Sequence, residues 1–316
     1  MRVALVHHAR FPVRGYGGTE RVVEWLARGL AELAHEVVLL AAPGSHLPSA
    51  RLVPIDARIA RRGRFDVRPF LPPGLDMVHA HQELAPLHEV PNVWTLHGNA
   101  PGHQLAPNTI FLSADHARRH GGTAFVHNGL DPGELLFRRA KGDYDLFIGR
   151  MHSVKGWQWA VEAARRTRRK LILAGGWRPV LSPRVRFVGT VSGQRKAELL
   201  AGARLLWMPA QWDEPFGLTL VEALASGTPV LGTRRGALPE IVSPETGYLG
   251  DTLEELIAAI AAVERLDPDA CRARVDRYFH YRVMAGNYLR MYRSWQTNGV
   301  LPEGLGVGMA GGVTPP

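Results

Sequence analysis

Short apolar runs that stop at glycine- or histidine-bearing loops, each followed by an amphipathic segment and another apolar run, limit what this chain can fold into. Val3-Ala4-Leu5-Val6 ends at His7-His8, and the loop after it carries Gly15, Gly17 and Gly18. From Thr19 to Leu33 the residues Val22, Val23, Leu26, Leu30 and Leu33 recur at helical spacing. Glu36 to Ala42 is apolar again. Strand, loop, helix and strand make a βαβ unit whose loop opens at the carboxyl end of a strand. Further strands are predicted over residues 76–81, 92–97, 109–113 and 123–127, so the first half reads as a mostly parallel sheet. Residues 51–73 are rich in Pro and Arg and read as irregular.

The rhythm repeats in the second half. Strands are predicted at 145–149, 170–174, 185–189 and 204–209, with helices up to about Arg169, over 194–202 and over 218–225. Thr252-Leu253-Glu254-Glu255 is a capping box opening another helix, and a further one follows Asp267-Pro268. A last helix from His280 to Gln296 carries Val283, Met284, Tyr288, Leu289, Tyr292 and Trp295, a core-facing stripe. Turn residues at His127-Asn128-Gly129-Leu130-Asp131-Pro132 put a domain boundary near 132–142. The expected architecture is α/β: one doubly wound domain over 1–135, a second over 140–278, and a flexible Gly/Pro-rich tail over 299–316.

A chain of 316 residues, 46% hydrophobic, suffices for two such domains. It has no run of 18 apolar residues, so no membrane span is expected. The N-terminus turns polar too soon for a signal peptide. Cys271 stands alone, which excludes an internal disulfide and fits a reducing, cytoplasmic setting. The net charge of +9 comes mostly from arginine, with runs at Arg58, Arg61, Arg62, Arg64 and Arg68 and at Arg165, Arg166, Arg168, Arg169 and Lys170. Such runs favour anionic partners or are solvated faces. No nucleic-acid motif accompanies them. Peripheral contact with the inner face of a membrane is left open.

Three stretches carry chemistry. In Trp212-Asp213-Glu214-Pro215-Phe216-Gly217-Leu218, Pro215 keeps Glu214 out of the helix, while Glu222 lies about one turn inside it. Two carboxylates so placed can converge on sugar or ribose hydroxyls, beside the free N–H groups of the helix start. The alternative is one exposed loop glutamate and one solvated helix glutamate. In Gly149-Arg150-Met151-His152-Ser153-Val154-Lys155-Gly156, Arg150 follows a strand end and Lys155 nears a helix start. Together they make a pocket for a pyrophosphate: Arg as a planar fork, Lys as a point charge. His97 ends a strand just before Gly98, where ligands collect in such sheets, or it merely caps backbone groups. His79 and His81 fit no zinc spacing and read as strand-end core residues. Asp143-Tyr144-Asp145 imitates a D-x-D metal motif, but Asp145 leads straight into a buried strand. Gly17-Gly18 is weak evidence for a phosphate or sugar site and is no G-x-G-x-x-G fingerprint.

Glu214 to Glu222, with Glu222-Ala223-Leu224-Ala225-Ser226-Gly227-Thr228-Pro229-Val230, resembles the E-x7-E segment of retaining GT-B glycosyltransferases, most closely glycosyltransferase family 4 (group 1). Gly149-Arg150 with Lys155-Gly156 is similar to that family's diphosphate-binding segment, and Asn128-Gly129-Leu130-Asp131 to its interdomain linker, with Leu for Val. Two adjacent glycines common after the strand at Val230 are replaced by Arg235-Gly236. The resemblance spans most of residues 1–297. It implies two Rossmann-like domains facing a central cleft, with helix 280–297 crossing back to complete the first. The implied activity is metal-independent, retaining transfer of a hexosyl group from a nucleotide-diphosphate sugar, a co-substrate in place of any cofactor. Arg150 and Lys155 would neutralise the leaving diphosphate, Glu222 would bind the ribose, and Glu214 the sugar hydroxyls near the amides of Phe216, Gly217 and Leu218. Gly17 and Gly18 would serve phosphate and acceptor, and His97 the transferred sugar. A glycoside hydrolase, a nucleotide-sugar epimerase and a non-catalytic nucleotide-sugar binder are the other readings.

Overall fold

The apolar runs become the central strands of two parallel sheets buried on both faces, as continuous rather than alternating hydrophobicity requires. A computed structural model describes residues 1–307 apart from Arg14, Tyr16, Arg62, Gly63, Trp177 and residues 179–181. In chain order the first elements are β1 (Arg2–Val6), α1 (Gly18–Glu32), β2 (Glu36–Ala41), β3 (Arg51–Pro54), α2 (Ala57–Ala60), β4 (Met77–Ala80), β5 (Asn92–Thr95), β6 (Thr109–Ile110) and α3 (Ala114–Arg119). Then come β7 (Tyr144–Ile148), α4 (Trp157–Thr167), β8 (Lys170–Ala174), β9 (Val185–Phe187), α5 (Gly193–Gly202), β10 (Leu206–Met208) and α6 (Leu218–Ala225). They are followed by β11 (Val230–Thr233), α7 (Leu238–Ile241), β12 (Gly247–Gly250), α8 (Leu253–Val263), α9 (Pro268–Tyr278) and α10 (Tyr281–Asn298).

The sheets share one order, β3-β2-β1-β4-β5-β6 and β9-β8-β7-β10-β11-β12. All pairings between these strands are parallel. The winding reverses between β1 and β4 and again between β7 and β10; loops at the carboxyl ends of such pairs form the ligand crevice of a doubly wound sheet. The chain divides into two compact units, Met1–Leu130 with His280 onward, and Asp131–Phe279.

In the first unit, Val22, Val23, Leu26 and Leu30 bury one face of α1 against the sheet and α10. Leu33, expected on that face, lies past the helix end and is 37% exposed. α10 buries Met284, Tyr288, Leu289 and Tyr292. Its first turn is tied to α1, where the Tyr281 hydroxyl donates to Glu32 at 2.8 Å and Arg282 pairs with the same carboxylate at 2.6 Å. Below the carboxyl ends of β4 and β5, His79 is wholly buried; its ring nitrogens lie 2.7 Å from the Tyr292 hydroxyl and 2.7 Å from Thr95 Oγ1, which also meets the Tyr288 hydroxyl at 3.0 Å.

Three expectations are corrected. Residues 51–54 are not irregular: β3 pairs with β2 as an edge strand. Residues 123–127 form no strand; Phe125 makes one isolated bridge to Phe111, because β6 is only two residues long and offers no ladder to extend. The tail is no loose end over its described part. The Gly304 amide donates to Thr123 O at 3.0 Å, Arg290 Nη2 donates to Glu303 O at 2.7 Å, and Leu301 is buried. Residues 308–316 lie outside the described residues.

Asp145 is buried in β7, where its two oxygens accept from Arg169 at 2.8 Å each, and Asp143 pairs with Lys170. The D-x-D sequence is thus engaged in ion pairs. Much of the basic runs is likewise neutralised: Arg58 by Asp56, Arg64 by Glu83, Arg68 by Asp66 and Arg166 by Glu254. Among the described residues no helix is long and apolar enough to cross a membrane.

Candidate functional site

The second unit builds its site at the β7–β10 reversal. After β7 the chain passes Gly149 and Arg150 into a single 3-10 turn, Ser153–Lys155, which His152 caps by accepting from the Val154 amide. Gly156 then takes the left-handed conformation, φ +71°, and a Cβ there would lie 1.7 Å from Pro209 O. Only glycine permits both, so α4 starts hard against the segment that leaves β10. This contact carries Lys155 onto Glu214. Lys155 Nζ lies 2.6 Å from Glu214 Oε2, and the Trp212 indole N–H donates to the same oxygen at 3.0 Å. The ammonium also sits 4.5 Å from the Trp212 ring centroid, within cation–π range. The Lys155 and Glu214 side chains are 14% and 13% exposed. An ammonium has three donors and Glu214 uses one, so Lys155 is held in place with donors to spare.

Beside this knot is a cavity of about 500 Å³, lined by Arg150, His152, Lys155, Gly175, Gly176, Arg178 and Trp212 with Met151 and Val154. Arg178 Nη2 donates to Met151 O at 2.8 Å. Among the described residues, three cationic side chains and no carboxylate line the space, which is of ordinary ligand size, about 300–1,000 Å³. Such a site suits a ligand carrying more than one negative charge.

Of the residues expected in one site, Arg150 and Lys155 line the cavity and Glu214 bonds Lys155. Glu222 is paired with another cation. It sits in the second turn of α6, 1% exposed, with Oε2 2.5 Å from Lys196 Nζ of α5, and it does not line the cavity. Gly217, in the left-handed region at φ +96°, caps α6 and Leu218 opens it, while the Phe216 ring is buried against Phe279. The Arg235-Gly236 loop grips Glu214 from behind: Ala237 N donates to Glu214 O at 2.9 Å, and a Cβ on Gly236 would lie 2.4 Å from the Glu214 backbone. In the first unit, Gly17 caps α1 without a side-chain hydrogen bond and Gly18 is its first residue. His97 stands two residues beyond β5, with Nε2 2.9 Å from His81 Nδ1.

Four residues, Trp212, Arg178, Lys196 and His81, make contacts with expected site residues or the cavity that the sequence reading does not assign them. Trp212 sits two before Glu214, and in an extended segment residues i and i+2 face one way, which could have paired them. Arg178 follows the Gly175-Gly176 turn after β8, a strand-end position open to the same argument. Lys196 meets Glu222 only through α5–α6 packing, and His81 meets His97 only through β4–β5 pairing; neither has a local signal.

Residues 143–265 match the family model for glycosyl transferases group 1. That span is similar to the group 1 glycosyltransferases. It contains β7, the 3-10 turn, the cavity and α6. The chain is 31% identical over 134 residues to a phosphatidyl-myo-inositol mannosyltransferase of Mycobacterium leprae, an alignment covering 40% of this chain and 35% of the relative. It is 30% identical over 152 residues to a D-inositol 3-phosphate glycosyltransferase of Corynebacterium efficiens, covering 41% and 36%. The matched part is thus little more than a third of these curated glycosyltransferases. Across nearly the whole chain, the structure resembles AviGT4, a glycosyltransferase involved in avilamycin A biosynthesis, with TM-score 0.79 and 28% identity over 95% of this chain and 99% of that one. Anabaena HepE, solved with UDP and glucose, shares the fold at TM-score 0.67 and 16% identity over 93% and 100%. The fold is GT-B.

Proposed function

We propose that this chain is a retaining glycosyltransferase of family 4 that moves a sugar from a nucleoside diphosphate sugar to a hydroxyl-bearing acceptor. The observation that carries the reading is the cavity lined by Arg150, Lys155 and Arg178, with Lys155 braced by Glu214 and Trp212. A departing diphosphate gains negative charge as the bond to the sugar breaks, and fixed donors stabilise that charge without reorganising. In this reading the bond between the anomeric carbon and phosphate oxygen breaks. The acceptor oxygen bonds to the same face of the sugar, and the acceptor proton passes to the leaving phosphate. Neither an enzyme nucleophile nor a divalent metal is called for.

Arg150 meets the phosphates as a fork and Lys155 as a point charge. Glu214 orients Lys155 and the sugar hydroxyls, and the amides of Phe216, Gly217 and Leu218 supply donors at the start of α6. Glu222 takes the ribose hydroxyls only by sharing or releasing Lys196. Gly17, Gly18 and His97 of the first unit serve the acceptor and the transferred sugar. A cytoplasmic setting suits the lone buried Cys271, whose thiol burial pushes up to about 12.

The hydrolase reading needs two carboxylates flanking a glycosidic bond. Glu214 is paired with Lys155 and Glu222 with Lys196, so each carboxylate is engaged by a cation, and the cations around the cavity favour a phosphate over a simple glycoside. Incubation with UDP-, GDP-, ADP- and TDP-sugars tests the proposal, reading diphosphate release by chromatography and the anomeric configuration of the product by NMR. Inositol and its phosphates are the first acceptors to offer, given the names of the two curated relatives. Acceptor-dependent release from one donor, with configuration retained, is expected. Nucleotide-independent hydrolysis of nitrophenyl glycosides, epimerisation of a donor without acceptor, or binding without turnover would each overturn it.

A further inference from the structure

The first unit carries a second constellation, at its own strand-order reversal. His7 follows β1, His81 follows β4, and His97 lies two residues beyond β5, on three neighbouring strands. The Ala9 amide donates to His7 Nδ1 at 3.0 Å, which puts the proton of neutral His7 on Nε2. His81 Nδ1 and His97 Nε2 are 2.9 Å apart. The buried His81 Nε2 has no hydrogen-bond partner among the described residues. The His79 ring, fixed by Tyr292 and Thr95, packs on His81 with centroids 4.1 Å apart and sets its plane.

Burial drives His97 down to about 3 and His81 well below the imidazole range, so both rings are neutral near pH 7. A single proton then lies between them. Were it on His97 Nε2, the His81 proton would sit on Nε2 as a buried N–H with no acceptor, the rarest kind of unsatisfied group. On His81 Nδ1, it leaves only a bare lone pair at Nε2. The second arrangement wins, and the His97 proton is then on Nδ1, which has no protein hydrogen bond among the described residues.

We propose that His81 is a positioning residue that fixes His97 in the Nδ1–H tautomer, so that His97 meets its ligand as a hydrogen-bond donor to a sugar oxygen and not as a base. The ligand class rests on the glycosyl-transfer reading above; the tautomer does not. The same geometry explains why His81 is a histidine at all, since an apolar residue would fill the space but leave His97 free to choose its proton.

The test is long-range proton–nitrogen NMR of the full chain labelled with ¹⁵N-histidine at pH 7, with the His97 signals assigned by their loss in His97→Gln. The wild type is expected to show Nδ1–H at His97. His81→Asn, whose amide N–H₂ can donate in place of Nδ1, is expected to keep it. His81→Phe is expected to release it to a mixture or to Nε2–H. An Nε2–H or imidazolium His97 in the wild type overturns the proposal, as does an unchanged Nδ1–H in His81→Phe. The wild-type spectrum decides even where a variant fails to fold. It is read without nucleotide or sugar, so a wrong tautomer leaves donor binding standing, and absent donor binding leaves the tautomer standing.

Discussion

Lys155 is the residue on which most of the proposed chemistry converges, because it touches Glu214, Trp212 and the cavity at once. Removing a donor aimed at developing charge costs about 10²–10³ in rate. Lys155→Ala is therefore expected to lower kcat/KM for the donor by at least about a hundredfold, with circular dichroism unchanged; activity within twofold of wild type would take Lys155 out of the mechanism. Gly156 makes a prediction of the opposite kind. Its left-handed φ of +71° and the 1.7 Å approach of a Cβ to Pro209 O leave no room for alanine. Gly156→Ala should cost about 2 kcal/mol or more in denaturant unfolding, whereas a loss below about 0.5 kcal/mol would show that the junction can relax. Arg150, Lys155 and Glu214 were legible in the sequence because strand ends and a proline-fixed loop announce their positions. Lys196 was not, because its meeting with Glu222 arises from two helices packing, and packing has no local signature.

At the scale of elements, burial on both faces made the central strands easy to read: β1, β2, β4, β7 and β8 are nearly continuous apolar runs. β3 escaped because Arg51-Leu52-Val53-Pro54 has the features that protect a sheet edge, a terminal charge and a proline. Those features also erase the strand signal. The false strand at 123–127 is the converse, since Ala124-Phe125-Val126 is apolar but has only the two-residue β6 nearby. Between β4, β5 and α10, Thr95 Oγ1 serves both His79 Nε2 and the Tyr288 hydroxyl. Thr95→Val keeps the shape and strands two buried polar groups, each worth about 1–3 kcal/mol unsatisfied. A combined loss of about 2–6 kcal/mol is expected in denaturant unfolding. Tyr288→Phe leaves the His79–Thr95 bond intact and should cost nearer about 1 kcal/mol. Equal losses for the two variants would mean that the network is not shared through Thr95.

For the whole molecule, the two sheets repeat one strand order, and each reversal point gathers polar side chains: cations in the second unit, neutral imidazoles in the first. The imidazoles set how stability responds to acid. Burial lowers His7 from 6.5 to about 3 and His116 from 6.5 to about 4. Between those values and 6.5 the unfolded chain binds more protons than the folded one, so stability falls as pH drops from about 6.5 towards 4. Each imidazole contributes about 1.4 kcal/mol per pH unit. Unfolding at pH 7, 6 and 5 is expected to show a loss that begins only below about 6.5; constant stability to pH 5 would contradict the burial of these rings. The net charge of +9 gives less attraction to anionic surfaces than its runs suggest, since Arg58, Arg64, Arg68, Arg166 and Arg169 are ion-paired. Arg150, Lys155 and Arg178 are the cations gathered around the cavity. The most direct measurement is therefore thermal unfolding in EDTA with UDP, GDP, ADP or TDP, on the wild type and on Lys155→Ala. At a hundred times its Kd a diphosphate should stabilise the wild type by about 2.7 kcal/mol, with one base preferred and the shift lost in the variant. No shift with any diphosphate at millimolar concentration, or the same shift in both proteins, would contradict the diphosphate site.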